Sequence, residues 1–165
     1  MINRGRVVIA AAFGALGLGF LGYYFYASLD IPQLEKVQLD LTSVKVVEVN
    51  TIDNRANLEI RFLVTNPSEK TATISNINYE LFVNGMDVGN GEYSTADISL
   101  PGRALIYPGN SIELTDVFNL VYTDQIADEY FAITNEEQVS YFAKGNISVE
   151  SAWSIVEKEF ESSLG

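Results

Sequence analysis

The side chains in this sequence able to do chemistry are carboxylates, and their spacing decides what they can do. The candidates are Asp124 with Asp128, Glu136 with Glu137, and Glu157 with Glu159 and Glu161. Paired carboxylates work as acid and base only where a cleft pushes their proton affinities apart. The last three alternate along an expected strand, so all of them face one way, toward water. No D-x-D-x-D-G calcium loop occurs. Cysteine and histidine are both absent, which excludes disulfides, cysteine zinc sites, thiol nucleophiles and Ser-His-Asp triads. The glycines of "GNG", Gly89 and Gly91, resemble a phosphate cradle only on paper. They lack a following helix and a nearby lysine, and so spell a bulge or a turn. Trp153, placed among alternating residues, is expected in the core or at a sheet edge and not stacked on a sugar. Asn146-Ile147-Ser148 is an N-glycosylation sequon expected in mid-strand. The expectation is therefore a chain with no catalytic residue, no cofactor and no metal ligand.

Charge divides the chain in two. Arg4 and Arg6 are the only charges before Asp30, and all 22 acidic residues lie at or after it. That leaves 8 basic residues for the body, whose formal charge is −14. Such a surface repels phosphate backbones, so no nucleic-acid partner is expected. The same charge keeps a domain soluble.

Residues 7–29 carry no charge, and as a helix they would extend about 34 Å, enough to cross a bilayer with some tilt. Tyr23, Tyr24 and Tyr26 stand at the far end, where amphipathic rings favour the headgroup zone. Arg4 and Arg6 then hold the N-terminus in the cytoplasm and place the acidic body outside. A cleaved signal peptide has a shorter apolar core and small residues before its cut, whereas Tyr26 would occupy the −3 position here. A lipoprotein anchor needs a cysteine. A pilin-like cut after Gly5 would start the mature chain at Arg6, where pilins carry an apolar or acidic residue. Ala11, Ala15 and Gly19 form a stripe at intervals of four, which allows self-association through close helix approach. The chain order is a cytoplasmic N-terminus over 1–6, a span over 7–29, a linker over 30–36, a folded domain over 37–162 and a tail over 163–165. Pro32, in the linker, prevents the span from continuing as a helix.

Beyond the linker, period-two alternation dominates. Leu58, Ile60, Phe62 and Val64 share one face of a strand, and Glu59, Arg61 and Thr65 share the other. Ile77, Tyr79, Leu81 and Val83 repeat the pattern. Asn84-Gly85 suits a type I′ turn, because both central positions need positive φ. Pro101-Gly102 and Pro108-Gly109 mark further turns. Many short strands of this kind imply two antiparallel sheets packed as an immunoglobulin- or fibronectin-like sandwich. One segment differs: over 123–138, Ile126, Tyr130 and Phe131, with Ile133, approximate a helical face capped by Thr123 or Asp124, with Asp128 and Glu129 near its positive end.

Asn66-Pro67 ends a strand, because proline cannot donate a ladder hydrogen bond and pushes Asn66 toward an extended conformation. The asparagine amide can then hold the bend that follows. Val64-Thr65-Asn66-Pro67, Ile74 and Ile77 with Tyr79 and Leu81, Asn84-Gly85 and "DVGNGEY" with Gly89 and Gly91 together carry a family resemblance. The chain resembles the late embryogenesis abundant (LEA) type 2 family, also called the water-stress and hypersensitive-response (WHy) domain, as a membrane-anchored prokaryotic member. Residues 143–160 are similar to the family's closing strand pair. Ser68 departs from the family, which favours a second asparagine there. The resemblance implies a non-catalytic two-sheet domain associated with protection under desiccation or other stress, or with a binding scaffold at the outer face of a membrane. The alternatives are a structural subunit of a surface filament or envelope complex, and a module binding lipid or a small apolar ligand.

Overall fold

Alternating apolar residues dictate strands, and in the computed structural model of the chain those strands form two packed sheets. The structure describes residues 4–95, 103 and 105–164. An N-terminal helix α1 (Arg4–Ser28) leads through a turn into the short helix α2 (Ile31–Leu34). Strands β1 (Gln38–Asn50), β2 (Arg55–Thr65), β3 (Ala72–Val83), β4 (Met86–Ser94), β5 (Leu105–Ile106) and β6 (Ser111–Val121) follow. Helix α3 (Ala127–Thr134) then precedes β7 (Tyr141–Glu150) and β8 (Ile155–Leu164).

The first sheet has the order β1-β2-β6, the second β4-β3-β7-β8 with β5 beside β3, and all described pairings are antiparallel. Leu58, Ile60, Phe62 and Val64 of β2 and Ile77, Leu81 and Val83 of β3 are fully buried, facing each other across the sandwich. Phe62 packs edge-on against Tyr79 and Phe160 with centroids 5.1 and 6.0 Å apart, and these rings occupy the space between the sheets. At one open side, Lys158 of β8 donates to the carbonyls of Glu35 (2.8 Å) and Val37 (2.6 Å), and Ser162 Oγ accepts from the Leu41 amide (2.8 Å). Burial holds the Lys158 amine below the ordinary lysine range, against the pull of Glu35.

The turns follow the sequence. Asn84 (φ 51°) and Gly85 (φ 87°) close the β3–β4 hairpin, and Gly109 (φ 76°) completes the Pro108-Gly109 turn. Pro101-Gly102 lies outside the described residues. The expected linker is not free chain: α2 is helical, with Pro32 in its opening turn, where a missing amide proton costs nothing. Leu34 is fully buried in the body. Helix α3 corrects two expectations. Its N-cap is Ile126, without a side-chain bond, instead of Thr123 or Asp124. Tyr130 and Ile133 form the buried face, while Phe131 is exposed and rests against Tyr122 (5.8 Å). Tyr130 and Ile133 lie three residues apart on one side, and Phe131 points away from it. The acidic Asp128 and Glu129 do lie in the first turn.

Among the described residues one helix is long and apolar enough, by length and composition, to cross a membrane. That helix is α1, since the apolar run continuing through α2 ends on Leu34 inside the body. Val8, Phe13, Leu16, Leu18, Phe20 and Leu21 are exposed all round it, the pattern of a helix whose surroundings are apolar on every side.

Candidate functional site

The strand-ending Asn66 builds a closed polar corner. Its side-chain Nδ2 donates to the carbonyls of Lys70 (2.7 Å) and Ile106 (2.8 Å). Its Oδ1 accepts from the Ser68 amide (3.1 Å) and hydroxyl (2.6 Å), so the primary amide is fully used. The main chain adds a bond from Asn66 N to the Asn110 carbonyl (2.9 Å) and one from Gly109 N to the Asn66 carbonyl (2.8 Å). Ser68 also accepts from the Lys70 amide (3.2 Å), so the serine caps the bend where the family favours asparagine. Pro67 sits exposed on the outside of the corner.

Tyr79 is the second of these residues, and its hydroxyl crosses to the other sheet. It donates to Asp116 Oδ2 on β6 at 2.7 Å. The ring passes over Gly91, its partner on β4, where any Cβ would collide with it. Gly89 (φ 130°) marks the irregularity in the β3–β4 register beside Leu81, the expected bulge. On the other flank, Gly145 of β7 lets the backbone of Asn78 approach closer than a side chain would permit. Burial, reinforced by the bond to Asp116, holds the Tyr79 phenol far above the ordinary tyrosine value of 10.0. Burial also raises Tyr93 and Tyr141, with the charge of Asp116 adding to the first. In the unfolded chain these phenols ionise near their ordinary value while the native state keeps its protons. Their contribution to stability is present below about pH 10 and is lost as pH rises above it. Tyr79→Phe is expected to cost about 1–2 kcal/mol at neutral pH and to flatten that alkaline loss. Urea midpoints on both sides of about pH 10 measure it, and an unchanged alkaline slope would contradict the assignment.

A groove of about 860 Å³ runs along the outer face of the second sheet. The pairing register sets Asn78, Asn146 and Glu159 in one row and Glu80, Lys144 and Glu161 in the next. Glu92 and Asn90 of β4 extend the two rows. Lys144 pairs with Glu80 (3.2 Å) and lies over the Phe82 ring (4.8 Å). Asn146 is therefore in mid-strand and exposed, as the sequon suggested, and Glu157, Glu159 and Glu161 all face solvent. The face offers hydrogen-bond donors, acceptors and negative charge, which suit recognition of a partner.

The remaining candidate lies where α1 meets the sandwich. Asp30 is buried, accepts from Ser151 Oγ (2.9 Å) and pairs with Lys70 Nζ (3.2 Å). The carboxylate raises the Lys70 proton affinity, and Lys70 also lies over the Tyr26 ring (5.6 Å). Trp153 packs edge-on against Tyr23, with centroids 6.0 Å apart. A second cavity, about 420 Å³, opens beside this junction. Trp153 is 54% exposed, which corrects its expected burial. The Ser151 hydroxyl accepts from the amides of Trp153 (3.2 Å) and Ser154 (3.1 Å), so the tryptophan rides a turn between β7 and β8.

The structure thus gathers Tyr79, Gly89 and Gly91 at one side of the sandwich and leaves Asn66 with Pro67 at the end nearest α1. Asn84 and Gly85 lie at the opposite end. Ala11, Ala15 and Gly19 remain exposed along α1. Sequence reasoning missed Asp30, Lys70, Ser151, Asp116 and Gly145. Among the described residues no group of three or more acidic side chains is placed to hold a metal ion.

No family model matches the chain, and comparison with curated proteins finds no match. Solved structures do match. A solution structure of an Arabidopsis thaliana protein aligns with a TM-score of 0.52 at 12% identity, over 76% of this chain and 79% of that one. A protein provisionally described as late embryogenesis abundant gives 0.44 at 13% identity, over 94% and 84% of the two chains. A crystal structure of a protein from Archaeoglobus fulgidus gives 0.44 at 17%, over 76% and 94%. At these identities the likeness to the Arabidopsis protein is one of fold: the two-sheet sandwich built here on β1 to β8.

Proposed function

We propose that this chain is a non-enzymatic, membrane-anchored protein of the LEA type 2 kind, which holds a hydrated acidic sandwich at the outer face of a membrane as a protective or binding scaffold. One observation carries the reading. The apolar helix α1 joins the body through a packed junction of Asp30, Lys70, Ser151, Tyr23 and Trp153, so the folded domain is held at the end of its helix. Arg4 and Arg6 favour a cytoplasmic N-terminus and an extracytoplasmic body. A surface of charge −14 repels its copies on a facing membrane as water is withdrawn, an effect that weakens with salt. The test uses phosphatidylcholine vesicles bearing the full chain, dried and rewetted with a dye inside. Dye retention should exceed that of vesicles carrying an equal mass of an unrelated single-span protein. Equal retention would remove the protective role.

The groove on the second sheet favours the scaffold form of this reading, with a protein partner seated on β3, β4, β7 and β8. The alternative of an apolar ligand between the sheets meets the ring cluster of Phe62, Tyr79 and Phe160, which fills that space.

A further inference from the structure

We infer that the end of the sandwich nearest α1 is a membrane-interfacial surface, seated in the headgroup layer of the bilayer that α1 crosses. The inference rests on reading α1 as a transmembrane helix and adds a second contact between protein and lipid. Tyr23 stands five residues before Ser28, the end of α1, and so about 7.5 Å along the helix axis from that end. Of the uncharged run 7–29, about 20 residues suffice to cross the hydrocarbon; counted from Val7 they end at Tyr26, with Tyr23 about 4.5 Å inside that boundary. Trp153 belongs to the body, yet its ring packs against Tyr23. Once α1 is in the bilayer, Trp153 is carried to the depth of Tyr23. Indole is suited to that zone, since one end is apolar and the other donates a hydrogen bond.

The residues around Trp153 fit the same surroundings. Ile155 is 68% exposed, Tyr107 57%, and Leu105, Leu29 and Ile31 are exposed too. They come from β8, the β5–β6 loop, β5, the α1–α2 connection and the start of α2, and meet at one end of the molecule. Apolar side chains gathered around the exit of an apolar helix continue the lipid-facing surface of that helix. Charge decides the kind of lipid. Three cations lie at this end: Lys70 and Arg103 pair with Asp30 (3.2 Å) and Glu150 (3.3 Å), and Lys36 donates to Gln33 Oε1 (3.0 Å), an acceptor shared with the amide of the acidic Glu69. The seat therefore calls for no anionic headgroup, and the acidic body disfavours one. The occupant is the headgroup–acyl boundary of a zwitterionic bilayer.

Trp153 is the only tryptophan of the chain, so emission excited selectively at the indole, beyond tyrosine absorption, reports on this surface alone. The full chain is placed in phosphatidylcholine nanodiscs, which leave both faces open to aqueous iodide. A blue-shifted emission, loss of iodide quenching, and stronger quenching by a nitroxide near the headgroup than by one at the chain end are expected. Ile155→Asp and Tyr107→Asp, both at exposed positions, should restore iodide quenching without unfolding the sandwich. Resistance of the chain to alkaline extraction from phosphatidylcholine vesicles reports on α1 independently. If the chain resists extraction while iodide quenches Trp153 freely, the seat is wrong and the anchor stands. If the chain is extracted, both fail. Protection from iodide without nitroxide quenching means that protein covers this surface, which also overturns the inference.

Discussion

Asn66→Asp is expected to lower the unfolding free energy by about 3 kcal/mol, since the buried Ile106 carbonyl loses its donor and the half-buried Lys70 carbonyl keeps only the Ser68 hydroxyl (3.1 Å). The exchange is nearly isosteric, so packing is not at stake. An ionised carboxylate donates nothing, and it would face the carbonyls of Lys70 and Ile106, where the amide now donates at 2.7 and 2.8 Å. Asn66 is fully buried, so water cannot repair the loss. Urea unfolding of the full chain in mild detergent should show a lower midpoint at unchanged slope. Acidification should recover part of the deficit, because a protonated carboxyl can donate to one of the two carbonyls. A loss below about 1 kcal/mol, within the range of ordinary substitutions, would mean that the corner does not hold the end of β2.

The second large effect belongs to Gly145→Ala, expected to cost about 3 kcal/mol by overpacking. The added methyl would collide with the Asn78 carbonyl oxygen and lie 2.8 Å from the Tyr79 Cα. Those atoms are backbone in the middle of a sheet, so β7 would have to part from β3 beside the Tyr79–Asp116 bond. Gly85→Ala is the natural control. Its Cβ would meet open space and the cost comes only from φ 87°, about 1 kcal/mol. Equal losses at the two glycines would refute the close-approach explanation.

Sequence made the sandwich legible because burial on one face imposes period two, and Asn-Gly and Pro-Gly turns have local backbone requirements. Asn66 was legible for the same reason: a proline follows it and polar residues fill the bend. Gly145 was not. Nothing near it distinguishes it from a weak strand residue, and only the register brings Asn78 opposite. The junction escaped in another way, since Asp30 meets Ser151 across 121 positions. Trp153 looked like a strand residue because the apolar Ile155 and Val156 follow within three positions. The signal that it rides a turn was Ser151, whose hydroxyl can collect amides two and three residues on. In α3, Phe131 and Ile133 compete for the same face over only two turns, too short for periodicity to choose between them.

The path of the chain has a mechanical consequence. It enters β1 beside the apolar helix α1, and β8 runs to Leu164 at the opposite end, so tension applied between α1 and Leu164 pulls along the strands. The β7–β8 ladder, paired from Tyr141–Leu164 to Glu150–Ile155, would then be loaded in shear, its bonds sharing the load together instead of unzipping in turn. A sandwich loaded this way yields late and abruptly.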